Sequence, residues 1–425
     1  MSAYIVSSNE NSVTIQITIA YASSMLVSEE NIQTELNAAG VIASGKALEQ
    51  FDTDGSPLEV GGVVYTSKGR QPKSYQSPYG KVSIERHVYQ SSAGGATFCP
   101  LEVDGRIIVT STPRLAKQIS HKYAEMSGPR VVNDLGENHG RQLPRSFVQT
   151  LAETVGSIAL AQEEKWHYQT PKPSAPIATV SLGVDGTCML MCDEHYREAM
   201  VGPISLVDDQ GERQHTTYIG ASPEYGKASF FERMTREIEH IRTLFPDAHY
   251  QGLADGASEN WDFLEPLTDT QVLDFYHACQ YLKGVAKGVY PRSLSQREAW
   301  LDEQCHALKH ERGAAEAILA AMQKVDPKKL SITNRDTLQA AITYFRNHAH
   351  QMKYAEAIEQ HLPIGSGVTE AGCKTIVKAR LGGAGMKWKD TGAAIVLSLR
   401  TLSYTPGRWS QFWAKINQYG FSLAG

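Results

Sequence analysis

Apolar and polar positions alternate near the N-terminus, over residues 13–25 (VTIQITIAYASSM), and this pattern predicts a strand. A helix is expected around residues 29–51. Residues 62–112 then contain short runs separated by Gly, Pro and Ser, which is typical of a small β unit. Its three predicted strands are VVYTSKG, GKVSIERHVYQ and GRIIVTST, at 63–69, 80–90 and 105–112.

The pattern becomes helical from Pro113 to about Gln162, in short pieces broken by the tight turns SGP and GENHGRQLPRS. Short helices with tight turns and basic side chains suit a helix-turn-helix module that binds DNA. Many helical hairpins that do not bind DNA have the same pattern, so both interpretations stay open. The basic residues of this region are Arg114, Lys117, Lys122, Arg130, Arg141 and Arg145.

The segment TPKPSAP (170–176) is rich in proline and predicts a stiff linker. After it, apolar runs predict a strand that ends at Asp185, further strands of a meander, and a strand that ends at Asp255. Between the last two strands, apolar residues recur every three or four positions over 227–244, which predicts an amphipathic helix. Strands and helix in this order favour a mixed α/β layer arrangement.

From about 270 to 358 the pattern is almost entirely helical. Thr268 or Thr270 is expected to cap the first of these helices, and Thr333 or Asn334 a later one. A turn follows at Pro363-Ile-Gly-Ser-Gly, and the chain from Val368 onward predicts a helix. The last segments, GAAIVLSLRTL and RWSQFWAKI, also read as helices.

The composition is that of an ordinary globular protein, with 41% hydrophobic and 20% charged residues. We find no run of about 18 apolar residues, so no membrane span is expected. The N-terminus lacks the basic and apolar regions of a signal peptide, which favours the cytoplasm. The six cysteines form no CxxC pair, and buried free thiols are favoured over a zinc site.

The net charge of −5 argues against a nucleic-acid partner, but the distribution of charge changes that conclusion. Between residues 366 and 420, eight Lys and Arg stand against two acids, a local charge of +6. Between residues 66 and 90, five stand against one acid, a local charge of +4. Two basic clusters in a mildly acidic chain indicate a polyanionic partner, although solvated faces give the same pattern.

Two predicted strands end in an Asp-Gly pair, at Asp185 and Asp255, and a third acid, Glu370, begins the helix after the glycine-rich turn. Open α/β sheets build sites where strands end. Asp-Gly pairs are also common turn starters, and Glu370 could simply pair with Lys374 along its helix. If the three carboxylates converge, they suit Mg²⁺, which prefers oxygen ligands.

Taken together, several motifs make the chain resemble a DDE transposase of a bacterial insertion sequence, and it is most similar to the ISKra branch. The order and spacing of the motifs carry this resemblance, which covers nearly the whole chain. The motifs are SPYGKVSIERHVYQ (77–90), TFCPLE (97–102), SLGVDGT (181–187), GLADGASENW (252–261), LDFYHACQYL (273–282), YFRNHAHQMKYAEAIEQHLPIGSGVTEAGCK (344–374) and RLGGAGMKW (380–388).

The resemblance implies an α/β fold with an RNase H-like catalytic core interrupted by an all-helical insertion, preceded by the β unit and the helical DNA-binding region. It implies that Asp185, Asp255 and Glu370 are catalytic and hold two Mg²⁺ ions, which Mn²⁺ can replace. The expected segments are 1–61, a strand and helix region; 62–112, the β unit; 113–169, the DNA-binding helices; 177–268, the first part of the core; 269–360, the insertion; and 361–425, the second part of the core.

The expected partner is double-stranded DNA, both the terminal inverted repeats and the target, and the expected assembly is a homodimer or larger. His277 lies in a D-x-x-H motif with Asp274, where it could meet DNA, order the site or be a structural histidine. Trp261 could stack on a base, although a core tryptophan is favoured. The candidate DNA contacts are His277, Trp261, Lys374, Lys378, Arg380, Lys387, Lys389, Arg114, Lys117, Arg130, Arg141 and Arg145.

Two other functions stay open. Another RNase H-fold nuclease, such as a junction resolvase, would use the same acids, but it would not need the helical insertion or the N-terminal regions. A domesticated DNA-binding protein without catalysis would not need all three acids. The expected location is the bacterial cytoplasm, in association with the nucleoid.

Overall fold

The computed structural model describes residues 3–421, and the chain divides into two compact units. The first unit contains the chain up to Gln169, residues 394–403 and the chain from Arg408 onward. The second contains Thr170–Ala393 and Tyr404–Gly407. Among residues 3–421, none of the helices combines the length and the apolar composition that crossing a bilayer requires.

The first unit begins with an antiparallel pair, β1 (Ala3–Ser8) and β2 (Val13–Ile17), and a long helix, α1 (Met25–Glu49). The predicted strand over 13–25 is therefore correct only to Ile17. Beyond it, polar side chains of α1 fix the chain, because the Ser28 hydroxyl accepts from the Ala22 amide at 3.0 Å. The Asn31 amide likewise donates to the Ala20 carbonyl at 3.0 Å.

The β unit is a four-stranded antiparallel sheet in the order β3-β4-β5-β6. The strands are β3 (Leu58–Val60), β4 (Val63–Gln76), β5 (Lys81–Ser91) and β6 (Gly94–Phe98). The strand predicted at 105–112 is wrong. Ile107 and Ile108 are buried there, but the left-handed backbone at Arg106 (φ 52) and Val109 (φ 60) makes the segment a series of turns. The apolar pattern indicated burial, not a strand.

A short helix that was not predicted, α2 (Pro100–Asp104), lies within the expected β unit. Helices follow as predicted between residues 113 and 162: α3 (Pro113–Glu125), α4 (Gly128–His139) and α5 (Arg145–Gln162). Pro at the first or second helical position fits the start of each of α2, α3 and α4. Residues 166–176 contain neither helix nor strand.

The second unit is built on a mixed six-stranded sheet, in which β10-β9-β7-β11-β12 are neighbours and β8 pairs with β9. β7 runs parallel to β11, and β11 parallel to β12; the other pairs are antiparallel. The mixed α/β prediction is confirmed. The strands are β7 (Ile177–Gly183), β8 (Asp185–Met191), β9 (His195–Asp208), β10 (Arg213–Ala221), β11 (His249–Ala254) and β12 (Thr270–Leu273).

One helix packs its apolar side on this sheet and a short one follows β11: α6 (Ala228–Leu244) and α7 (Ser258–Leu264). Phe230, Met234 and Ile238 of α6 are buried, as their spacing predicts. The predicted helix from about 270 begins later, because Thr270–Leu273 forms β12 beside β11. The expected caps Thr268 and Thr270 are therefore wrong, and Asp274 caps the first helix instead.

Residues 275–359, the helical block, contain α8 (Phe275–Val289), α9 (Leu294–His310), α10 (Ala314–Gln323), α11 (Ile332–His348) and α12 (Tyr354–Glu359). Ser331, rather than Thr333 or Asn334, caps α11 by accepting from the Asn334 amide at 3.3 Å. The block shares one hydrophobic core with the sheet, in which Leu182, Leu253, Leu282, Ile318 and Phe345 are all buried.

The helix predicted after the glycine-rich turn begins at Gly367, and its winding changes along its length. α13 (Gly367–Gly372) continues into a π-helix (Cys373–Lys378) and a short α14 (Ala379–Leu381). The last helices, α15 (Asp390–Tyr404) and α16 (Arg408–Tyr419), belong mainly to the first unit. The segment 361–425, expected to complete the core, is thus divided between the two units.

Candidate metal centre

The carboxyl ends of three neighbouring parallel strands place acids at one edge of the second unit's sheet. Asp255 directly follows β11, and Asp274 directly follows β12. Asp185 was expected at the end of β7, but it lies two residues beyond that end, as the first residue of β8. Because the carboxyl ends of parallel strands meet at one edge, these acids come from distant parts of the chain to one place.

The Asp185 carboxylate is half-buried and accepts two hydrogen bonds. The Gly186 amide donates to Oδ1 at 2.7 Å, and the Cys373 thiol donates to Oδ2 at 3.5 Å. Burial raises the pKa of Asp185, and the negative charges of Asp255 and Glu198 raise it further. The charges of Asp185 and Asp255 therefore repel each other in a partly dry site.

Asn260, which is 4% exposed, links the Asp185 and Asp255 segments. Its side-chain amide lies 3.5 Å from Asp255 Oδ1 and 3.3 Å from the carbonyl of Val184, the residue before Asp185. The Ala257 amide also donates to Asp255 Oδ1, at 3.2 Å. These donors hold the Asp255 carboxylate over its own turn.

Asp274 is completely buried and connects two helices. Its Oδ1 accepts from the His277 amide at 2.7 Å and lies 3.1 Å from His277 Nδ1. Its Oδ2 accepts from the amide of Ser366, the residue that precedes α13. Asp274 therefore caps α8 and also anchors the start of the helix that carries Glu370.

Glu370 lies in the first turn of α13, with ligand atoms of Asp274 and His277 within 4.8 Å. The hydrogen bond that the His277 ring makes to the Asp274 carboxylate raises the pKa of His277, and the charges of Asp274, Asp255 and Glu370 also raise it. His277 therefore lies in the field of the predicted acids. Glu370 also pairs with Lys374 at 3.6 Å, so the pair expected along the helix is present as well.

The side chains at this edge fit a divalent cation. The ligand atoms of Asp274, His277 and Glu370 all lie within 4.8 Å of one another, whereas Asp185 and Asp255 are not part of that group. Both Asp274 oxygens also accept N–H groups. Oxygen-rich sites of this kind suit Mg²⁺ or Mn²⁺.

Four of the predicted DNA-binding lysines are exposed in the second unit: Lys374, Lys378, Lys387 and Lys389. The backbone of Trp388 pairs with the edge of β8, because its amide donates to the Leu190 carbonyl at 3.0 Å. His277 is half-buried.

Two predicted DNA contacts of the second unit are buried. Trp261 is 7% exposed within the core shared by the sheet and the helical block, so its ring has no free face for a base. Arg380 is 4% exposed, and its guanidinium carbon lies 5.1 Å from the Trp388 ring centroid.

The predicted DNA-binding residues of the first unit also include both exposed and buried side chains. Arg114, Arg130 and Arg145 are exposed. Lys117 is half-buried, and burial lowers its pKa, as does the charge of Arg114. Arg141 is 9% exposed and donates to the Gln76 side chain at 2.8 Å, so it fixes the helices to the β unit.

Sequence reasoning missed several residues around this edge. Asn260 and Ser366 act through contacts between distant segments, which no local pattern shows. Glu198 adds a further negative charge near Asp185, and it pairs with Lys227 at 2.9 Å. No protein-family model matches the chain, and no curated protein matches it.

Proposed function

We propose that the chain is a DDE transposase that binds the terminal inverted repeats of its insertion sequence and catalyses DNA cleavage and strand transfer. The observation that supports this proposal is electrostatic: the charges of Asp185 and Asp255 influence each other, and those of Asp255 and Glu370 both act on His277.

The roles follow from the chemistry of the side chains. Asp185, Asp255 and Glu370 would hold two Mg²⁺ ions, or Mn²⁺. When bound, such a pair activates a water or a 3′-hydroxyl and stabilises the leaving oxygen of a phosphodiester. Asn260 and Asp274 orient the ligands, and Lys374, Lys378, Lys387 and Lys389 attract the phosphates. The mixed sheet is compatible with an RNase H-like core, which the helical block interrupts between Asp255 and Glu370.

In this proposal the first unit recognises the inverted repeats through exposed arginines of its helical region, and the second unit cuts and joins the DNA. Two element ends must be brought together, so the active form is a homodimer or a larger assembly. The place of action is the bacterial cytoplasm, on chromosomal DNA.

The test compares wild type, Asp255→Asn and the control Asp262→Asn, an exposed acid of α7, on DNA that carries the native flanking ends. Asparagine keeps the shape of Asp255 and removes its charge. We expect Mg²⁺-dependent cleavage at the ends by wild type and Asp262→Asn. The cleavage rate of Asp255→Asn should be more than about 100-fold below that of wild type. Even residues that only support a metal ligand typically contribute about 10–100-fold to activity. End binding, measured by fluorescence anisotropy, should remain.

Other outcomes distinguish the alternatives. Metal-dependent cleavage without preference for the ends would favour an RNase H-fold nuclease. End binding without cleavage by any variant would favour a DNA-binding protein that has lost catalysis. Equal cleavage by wild type and Asp255→Asn would contradict the assignment of Asp255.

A further inference from the structure

The helical block contacts the turn that carries Asp255. Tyr344 of α11 donates its hydroxyl to the backbone carbonyl of Asp255 at 2.8 Å. The Asp255 carboxylate itself accepts only from its own turn and from Asn260 among the described residues. Its direction therefore depends on where the backbone of the turn is held.

The Tyr344 ring is itself fixed. It stacks on Tyr281 of α8, with ring centroids 3.9 Å apart and planes at 18°. The His348 ring lies 5.0 Å from it, and His348 Nδ1 lies 2.9 Å from the Gln351 side chain. A rigid ring places this donor with little freedom.

The same side chains restrict the residue after Asp255. Gly256 has φ +106, a conformation that L side chains rarely adopt. A Cβ at Gly256 would lie 3.1 Å from Tyr344 Cε2 and 3.3 Å from His348 Nε2. The turn is thus confined between the end of β11 and the aromatic side chains of α11.

We propose that Tyr344 is a positioning residue that fixes the Asp255–Gly256 turn, and so the direction of the Asp255 carboxylate, from the helical block. The helical block then supports the metal centre as well as separating its acids in the sequence. The structural part of this inference stands on the contacts alone, whereas its effect on metal binding and catalysis rests on the proposed function.

The first test measures the turn directly by amide hydrogen exchange in full-length wild type, Tyr344→Phe and Tyr281→Phe. Phenylalanine at 344 keeps the stacked ring and removes only the donor. We expect faster exchange in peptides that cover residues 254–260 for Tyr344→Phe alone. The Tyr281 hydroxyl makes no hydrogen bond within the described part of the chain, so Tyr281→Phe controls for loss of a hydroxyl in the stack. Unchanged exchange in Tyr344→Phe would overturn the inference, whatever the protein's function.

The second test measures Mn²⁺ affinity by titration calorimetry and the kinetics of DNA cleavage. Residues that orient metal ligands are typically worth about 10–100-fold, so we expect Tyr344→Phe to weaken Mn²⁺ binding about tenfold. Its kcat should fall, high Mn²⁺ should restore it, and KM for DNA should stay unchanged.

A Tyr344→Phe variant with faster amide exchange but wild-type Mn²⁺ affinity would limit Tyr344 to a structural role and overturn the positioning claim. A wild type that neither binds Mn²⁺ nor cleaves DNA would instead contradict the proposed function, while the exchange result would still decide whether Tyr344 fixes the turn.

Discussion

Asp274 shows at the scale of one residue how a buried charge can organise a site. Burial works to raise its pKa, but hydrogen bonds from His277 and Ser366 outweigh that effect and lower the pKa to about 2. The carboxylate is therefore charged at neutral pH, with an N–H group on each oxygen. The buried acid therefore anchors both helices, and it also stays among the candidate metal ligands, beside His277 and Glu370.

Replacing Asp274 with Ala removes this anchor, and we expect it to lower the free energy of unfolding by about 2–4 kcal/mol, since a helix cap and a charged hydrogen bond are lost together. The control is Ser331→Ala, an exposed cap of α11 that should cost about 1 kcal/mol. Urea unfolding at pH 7 measures both. The folded pKa lies below the ordinary value of about 3.9, so this stabilisation is complete above about pH 4 and is lost as the pH falls towards 2. Equal losses in the two variants would contradict the anchoring role.

The three acids that we propose as metal ligands could be chosen from the sequence because each stands in a local pattern. Asp185 and Asp255 are followed by glycine where an apolar run ends, and Glu370 follows a glycine-rich turn. The contacts of Asn260 and Ser366 and the burial of Trp261 involve segments that are distant in the chain. No local pattern in the sequence shows them. Charge alone likewise did not separate exposed Arg145 from buried Arg141.

At the scale of elements, close packing of β7 against α13 sets the position of Glu370. A Cβ on Gly183 of β7 would lie 2.1 Å from Thr369 Oγ1 and 3.1 Å from Pro203 Cγ. A Cβ on Gly186 of β8 would instead meet the end of the flexible Glu198 side chain, with Cδ at 2.2 Å. We therefore expect alanine to be tolerated better at Gly186 than at Gly183, although the two positions are only three residues apart.

Gly183→Ala should therefore displace α13, lower the free energy of unfolding by about 1–3 kcal/mol and weaken Mn²⁺ binding, because the stiff neighbours cannot move away. Gly186→Ala is the matched control and should change the stability by less than about 0.5 kcal/mol, since Glu198 can rotate towards solvent. Urea unfolding and Mn²⁺ titration test the pair. A larger loss of stability in Gly186→Ala would show that the packing of α13 does not depend on Gly183.

Element prediction succeeded where periodicity was long and failed where an element was short. The pattern of α6 is repeated over several turns, and its limits are correct within one residue. β12 has only four residues, and its sequence TQVL fits the start of a helix as well as a strand. These residues form a strand because they pair with β11, and the local sequence does not indicate that contact. The π-helix after Gly372 is a change of winding that no spacing of side chains indicated.

At the scale of the whole molecule, the C-terminal helices complete the first unit. Arg400 of α15 is 1% exposed and donates to the carbonyl of Ala124 in α3. The Gln411 amide of α16 donates to the Gln169 carbonyl at 2.8 Å. The apolar sequences of α15 and α16 indicated helices but not the partners they cover. Removing residues 1–165 would therefore expose the buried sides of α15 and α16, so a deletion is a poor test of DNA binding.

Point substitutions test the DNA-binding role of the first unit without this damage. The triple change Arg114→Ala, Arg130→Ala and Arg145→Ala removes exposed charges only. If each side chain neutralises one phosphate, the slope of log K against log salt should become shallower by about 2–3, because each contact contributes about 0.9.

The matched control removes three exposed arginines of the helical block and the turn before α9: Arg292→Ala, Arg335→Ala and Arg346→Ala. It should leave the slope for the element ends nearly unchanged. Fluorescence anisotropy at several salt concentrations measures both triples, and circular dichroism confirms their folding. If the control triple lowers end affinity as much as the first triple, recognition of the ends does not lie in residues 113–169. The basic stretches of the sequence would then report general attraction to DNA rather than an end-binding module.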